Sequence, residues 1–316
     1  QVSTFFPRLR QNIAALHLAH RTIVEQERRG THVSPAGEWL LDNIHLVAAQ
    51  TREVNEGLPR RFFRRLPVLP GPDLAGLPRV YAIAWAFVAH ADSAFEPALL
   101  QDFLCAYQRR QVLTHGELWA LPTTLRVVLV ENLRRLAERV AADQTAREAA
   151  HALCDRLAQG GAAAADSTRP LFEQQQSLGV GRAFALQVVQ RLHADAETGT
   201  SQGLQGREAL RAALALALPD PTSAQAQQSA DLAADNASVG HAIRSLQMLG
   251  SANWRGLVAA CSPLMQRLSA LPIFAAERDD TQDASLHAIE RLARLSGHSE
   301  AAVTEVLMGL ALAPEA

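Results

Sequence analysis

Apolar residues recur at intervals of three and four along almost the whole chain, and alternating β-branched runs bounded by turns are nearly missing. That period belongs to helices burying one face, so the pattern predicts an all-α protein. The clearest case is 35–57, where Leu40, Ile44, Val47, Val54 and the adjoining Leu58 share a face. Ser34 stands ready to cap that helix, and Pro35 occupies its first position, where the missing N–H costs nothing. Similar spacing predicts helices over 80–90, 97–110, 122–157, 171–176, 180–194, 207–218, 224–250, 254–271, 284–295 and 300–312.

The interruptions predict the organisation. Prolines 59, 67, 70, 72 and 78 cut 58–78 into loop, with one short helical turn at 60–65. The small and polar residues of 159–167 read as a linker, which divides a multi-helix array into two helical subdomains, 1–158 and 168–316. A second loose stretch covers 197–206, and no fixed-period repeat is present.

Composition narrows the function classes. With 316 residues, 48% of them hydrophobic, the chain has apolar mass for about two domains. A formal charge of −2 supplies no field for gathering nucleic acid. All 30 basic residues are arginine, so a phosphate loop built on lysine and Schiff-base chemistry are both excluded. Cys105, Cys154 and Cys261 are far apart and in no CxxC pair, which suggests neither a disulfide framework nor a thiolate metal cluster and fits a reducing compartment. No secretory leader opens the sequence, and its longest apolar stretch, 80–91, falls short of the roughly 20 residues of a membrane span, so the expectation is a soluble piece.

Three constellations carry candidate chemistry. His17 and His20, three apart on one helix face with Glu25 nearby, suggest half of a metal site but have no converging partners, so the expected metal set is none. Arg60, Arg61, Arg64 and Arg65 surround Phe62 and Phe63, a pattern that can pack aromatics inward and turn guanidiniums toward an anionic partner. Glu117 beside Trp119, with Asp42 and Asp92, could furnish the carboxylates and stacking surface of a glycan-cleaving α/α toroid. The simpler reading puts Thr114 and Glu117 in capping-box register at a helix start, and Glu96 at a cap ahead of Pro97. No GxSxG elbow, dinucleotide fingerprint or legible triad is present, so no catalytic residue is assigned.

Several segments resemble one family. EWLLDN from Glu38, LPRRFFRRLPVL from Leu58, GLPRVYAIAWAFVAHADSAFEP from Gly76, LTHGELWA from Leu113 and VLVENLRRLA from Val128 are similar to the region preceding the glycosyltransferase of bacterial cyclic β-1,2-glucan synthases. A second block resembles the same region through SVGHAIRSL from Ser238, the pair Trp254 and Arg255, and HAIERLA from His287. It departs where the family has an aromatic and arginine-rich run: this chain reads DDTQDASL from Asp279, keeping Thr281 and Asp283.

The resemblance implies a non-catalytic cytoplasmic helical region of a membrane-anchored synthase, supporting or regulating glucan synthesis. It implies UDP-glucose and a divalent metal used elsewhere in the parent and no cofactor in this region. The implied partners are the downstream transferase part of the same chain, with anionic lipid or a glucan primer as further candidates. The alternative is a free-standing helical module that binds a protein or an anionic surface.

Overall fold

The computed structural model describes residues 5–57, 59–69, 76–159, 168–197, 204–218 and 220–311. These form α1 (Phe5–Arg28), α2 (Pro35–Gly57), α3 (Arg60–Phe63), α4 (Arg79–His90), α5 (Pro97–Gln108), α6 (His115–Ala158), α7 (Thr168–Ser177) and α8 (Gly181–Glu197). They continue with α9 (Leu204–Ala217), α10 (Pro221–Met248), α11 (Trp254–Cys261), α12 (Pro263–Ser269), α13 (Pro272–Ala276), α14 (Asp279–Ser296) and α15 (Glu300–Ala311). Among the described residues there is no strand, only an isolated antiparallel bridge between Val68 and Pro78. The all-α expectation holds.

Local chemistry accounts for most boundaries. Ser34 Oγ accepts from Gly37 N at 3.3 Å and starts α2 as expected. The expected single helix over 254–271 is instead three short ones. Ser262 and Leu271 are extended because each precedes a proline, whose ring disfavours helical geometry in the residue before it. Ser262 then caps the new start by accepting from Met265 N. Conversely, α6 begins seven residues before the expected start at Pro122 and runs through that proline. Proline costs one helical hydrogen bond, and the buried neighbours Leu118, Leu121 and Leu125 hold the segment helical across it. Glu96 occupies the cap of α5 ahead of Pro97, but its side chain makes no capping hydrogen bond, contrary to the expectation for it.

Contacts group the chain into two compact units that are interleaved along the sequence. One comprises Gln1–Asn12, His45–Asn132 and His241–Ala316; the other comprises Ile13–Ile44 and Leu133–Gly240. This grouping differs from a single cut at a linker, and residues 160–167 of that linker lie outside the described residues.

In the first unit Phe5 stacks on Phe63 with ring centroids 4.6 Å apart, and Phe6 meets Phe63 edge-on. Tyr81, Leu118, Leu121 and Leu129 are buried in the same unit. A satellite cluster packs Leu264, Met265, Leu268, Phe274, Leu286 and Ile289. In the second unit Leu153, Phe172, Phe184, Val188 and Leu210 form the core, and Phe172 meets Phe184 edge-on at 4.9 Å.

Candidate functional site

The first unit holds a cavity of about 530 Å³, within the usual range for small-ligand sites. Its walls come from the α3 region (Phe62, Arg65, Leu66, Pro67), the entry to α6 (Val112, Leu113, Thr114, Gly116) and the α14–α15 turn (Glu290, Arg294, His298, Glu300). Segments that are far apart in sequence, including three of those that carry the family resemblance, thus line one space.

The α6 entry is built around Glu117. Thr114 Oγ1 accepts from Glu117 N at 3.2 Å, and Glu117 Oε2 accepts from Thr114 N at 2.9 Å, so the capping box closes in both directions. The same carboxylate receives Arg79 Nε at 2.7 Å on Oε1 and Arg79 Nη2 at 2.5 Å on Oε2. Glu117 is fully buried, and its hydrogen bonds lift the Arg79 guanidinium further above its ordinary range. Both carboxylate oxygens are thus engaged by Arg79 and Thr114.

Beside it, Glu300 at the start of α15 accepts from the backbone N of His115 at 2.9 Å. Burial pushes the Glu300 carboxyl up to about 7, with Glu290 and Glu117 adding to the rise and the His115 hydrogen bond opposing it. The His115 ring is 2% exposed, and neither nitrogen meets a partner among the described residues. Burial pushes it down to about 4. It packs against Trp119 and His287, with centroids 5.9 and 5.7 Å away. Neutral His115 and a readily protonated Glu300 therefore sit together at a helix–helix junction, and the sequence alone assigns a role to neither residue.

Phe63 is fully buried, while Arg61, Arg64 and Arg65 are exposed and make no ion pair with a described residue. Arg65 also reaches the cavity wall; the Arg60 side chain lies outside what is described.

The other offered carboxylates are dispersed. Asp42 is exposed and belongs to the second unit, whereas Asp92, Glu117 and Trp119 belong to the first. Asp92 is exposed at the end of α4 with φ +46°, and its carboxylate lies 3.3 Å from His241 Nδ1. Among the described residues no group of three or more His, Cys, Asp or Glu could hold a metal ion.

Much of the resemblance is carried by residues that hold the first unit together. Glu131, in the VLVEN segment, accepts Arg8 Nε at 2.8 Å, Asn12 Nδ2 at 2.9 Å and Tyr81 Oη at 2.6 Å on one oxygen, and Arg8 Nη2 on the other. Burial acts to raise this carboxyl, yet the bonds from Arg8, Tyr81 and Asn12 outweigh it and leave it below its ordinary value. Ser93, with φ +64°, gives its carbonyl to Ser245 Oγ at 2.6 Å, and that hydroxyl accepts Phe95 N at 2.8 Å. Arg255 pairs with Asp279 and Asp283, which joins the Trp254-Arg255 pair to the segment that departs from the family resemblance.

The described residues of the first unit form a helical framework around a walled cavity, and the chain as a whole is similar to part of a glucan synthase. One relative is the cyclic beta-(1,2)-glucan synthase NdvB of Rhizobium meliloti (strain 1021), to which this chain is 32% identical over 311 residues. The match takes in 96% of this chain and spans 11% of that protein. No protein-family model matches the chain. No helix among the described residues is long and apolar enough to cross a membrane.

Proposed function

We propose that this chain is a non-catalytic helical region of a cyclic β-1,2-glucan synthase, supporting or regulating UDP-glucose-dependent synthesis by other parts of a longer polypeptide. The similarity over 311 residues, spanning 11% of the relative, carries this reading. The geometry supports it, because Glu117 is committed to a helix cap and an ion pair, and Glu131 to holding three elements together. On this reading the region lies on the cytoplasmic side of the inner membrane, the transferase part is its partner, and sugar nucleotide and divalent metal are handled elsewhere.

The test compares the full-length synthase with a version lacking this region, measuring incorporation of glucose from UDP-glucose and the amount of assembled enzyme in membranes. Loss of output or of assembly is expected; undiminished glucan synthesis and assembly would falsify the proposal. Incubating the protein with β-1,2-glucan separates the enzymatic alternative: shortening of the glucan that disappears in Glu117→Gln would replace the supporting role with a catalytic one.

The exposed guanidiniums of Arg61, Arg64 and Arg65, which pair with no described carboxylate, favour a second reading, a surface that docks on anionic lipid. Each basic residue near an anionic leaflet contributes about 1 kcal/mol, so the cluster suffices for weak, salt-sensitive association.

A further inference from the structure

Cys105 on α5 and Cys261 at the end of α11 are 156 positions apart in sequence, yet their sulfurs lie 3.5 Å apart, with the Cys105 thiol donating to Cys261 Sγ. Neighbours hold the pair in place. Gln108 Nε2 donates to the Cys261 carbonyl at 2.5 Å, and Cys261 Sγ donates to the Gln101 carbonyl at 3.6 Å. Gln101, Cys105 and Gln108 lie on α5, so the helix that carries one thiol also positions the other. A disulfide needs its sulfurs about 2.05 Å apart, so closure asks for roughly 1.5 Å of movement shared between two side chains and two short helices.

Cys105 is half-buried and Cys261 only 3% exposed. An oxidant therefore reaches Cys105 first. Burial and the hydrogen bond from Cys105 push the Cys261 thiol up to about 12, which disfavours it as the first nucleophile, and its sulfur 3.5 Å from Cys105 places it to resolve an intermediate formed there.

We propose that Cys105 and Cys261 form a redox-responsive thiol pair that a peroxide closes into a disulfide, tethering α5 to α11. In the first step Cys105 sulfur attacks one peroxide oxygen, the O–O bond breaks, and Cys105 sulfenic acid and one water result. Cys261 sulfur then attacks Cys105 sulfur, the S–O bond breaks, and the leaving hydroxide takes the Cys261 proton as a second water. The two thiols lose two electrons and the peroxide gains them. A dithiol reductant reverses the step by exchange.

The full-length protein is treated with hydrogen peroxide, alkylated in denaturant and digested without reduction for peptide mass mapping. The three thiols are free at the outset, and the expected result is loss of two of them, with a peptide pair joining Cys105 to Cys261 that dithiothreitol releases. The link should vanish in Cys105→Ser and persist in Cys154→Ser. Recovery of Cys261 fully alkylated while Cys105 is driven to sulfinic acid would overturn the proposal, as would a link to Cys154 or one between molecules. The wild-type map decides the matter even where a variant fails to fold.

Discussion

Arg79 and Glu117 meet through two parallel charge-assisted hydrogen bonds across 38 residues of sequence, with the carboxylate wholly withdrawn from water. Their join fixes the start of α6 against the start of α4. A buried pair of this kind is costly to break from one side, because the remaining charge is stranded.

Glu117→Gln should therefore destabilise the fold by about 3–5 kcal/mol. Thr114→Ala, which removes only the capping hydroxyl, should cost about 1 kcal/mol. Urea denaturation reads both as a lower midpoint at unchanged slope. Equal and negligible effects would remove the structural role assigned to Glu117.

Tyr81→Phe withdraws one of the donors on Glu131 Oε2 and should cost about 1–3 kcal/mol. The depressed Glu131 carboxyl also has a pH signature. Its contribution is complete above the ordinary carboxylate range and is lost as pH falls through its lowered folded value. Glu131→Gln should accordingly flatten the acid limb of stability against pH, and an unchanged limb would count against the hub.

Glu300 and His115 should pull the pH profile in opposite directions. With Glu300 raised to about 7 from an ordinary 4.5, the folded state binds more protons over that interval and stability falls as pH rises through it. With His115 lowered to about 4 from 6.5, the unfolded state binds more protons and stability rises with pH over that interval. The two largely offset each other below 6.5, so Glu300→Gln should expose a rise in melting temperature between pH 4 and 6.5 that the wild-type protein masks.

Charge reversal at Arg61 and Arg64 should abolish low-salt binding to vesicles rich in anionic lipid while leaving the melting temperature within a few degrees of wild type. Salt should weaken wild-type binding in the same way, since exposed charges are screened over about 10 Å at 0.1 M. Binding that is indifferent to both would dismiss this surface.

Filling the cavity tests whether its space matters. A side chain at Gly116 would point at Glu290 and Phe62, whose nearest atoms are 3.5 and 3.6 Å from its Cβ position. If the proposed supporting role holds, Gly116→Leu should reduce glucan output of the full-length protein with little loss of assembled protein. Unaltered output would leave the cavity without a part in the supporting role.

How far the sequence reached is visible in particular residues. The capping of α2 by Ser34 and the box of Thr114 with Glu117 were legible, since both join residues three positions apart. The burial of Phe63 beneath exposed arginines was legible for the same reason, because neighbouring side chains in one turn must divide between core and water. The break at Pro263 was readable in principle but was overridden by apolar spacing that continued past it. Glu300 carried no signal, and the segments holding His115 and Glu131 carried a resemblance but no role for either residue, because a buried side chain looks like an exposed one until its neighbours are known.

Helix content, most helix starts and the resemblance to a glucan synthase were decided by the sequence alone, because caps, prolines and amphipathic spacing act over one or two turns. Only the tertiary structure decided that Arg79 would find Glu117, that Cys105 would lie against Cys261, and that three distant segments would enclose one cavity. Those partners lie tens to hundreds of residues apart, and which charges and thiols leave water together follows from how the helices pack.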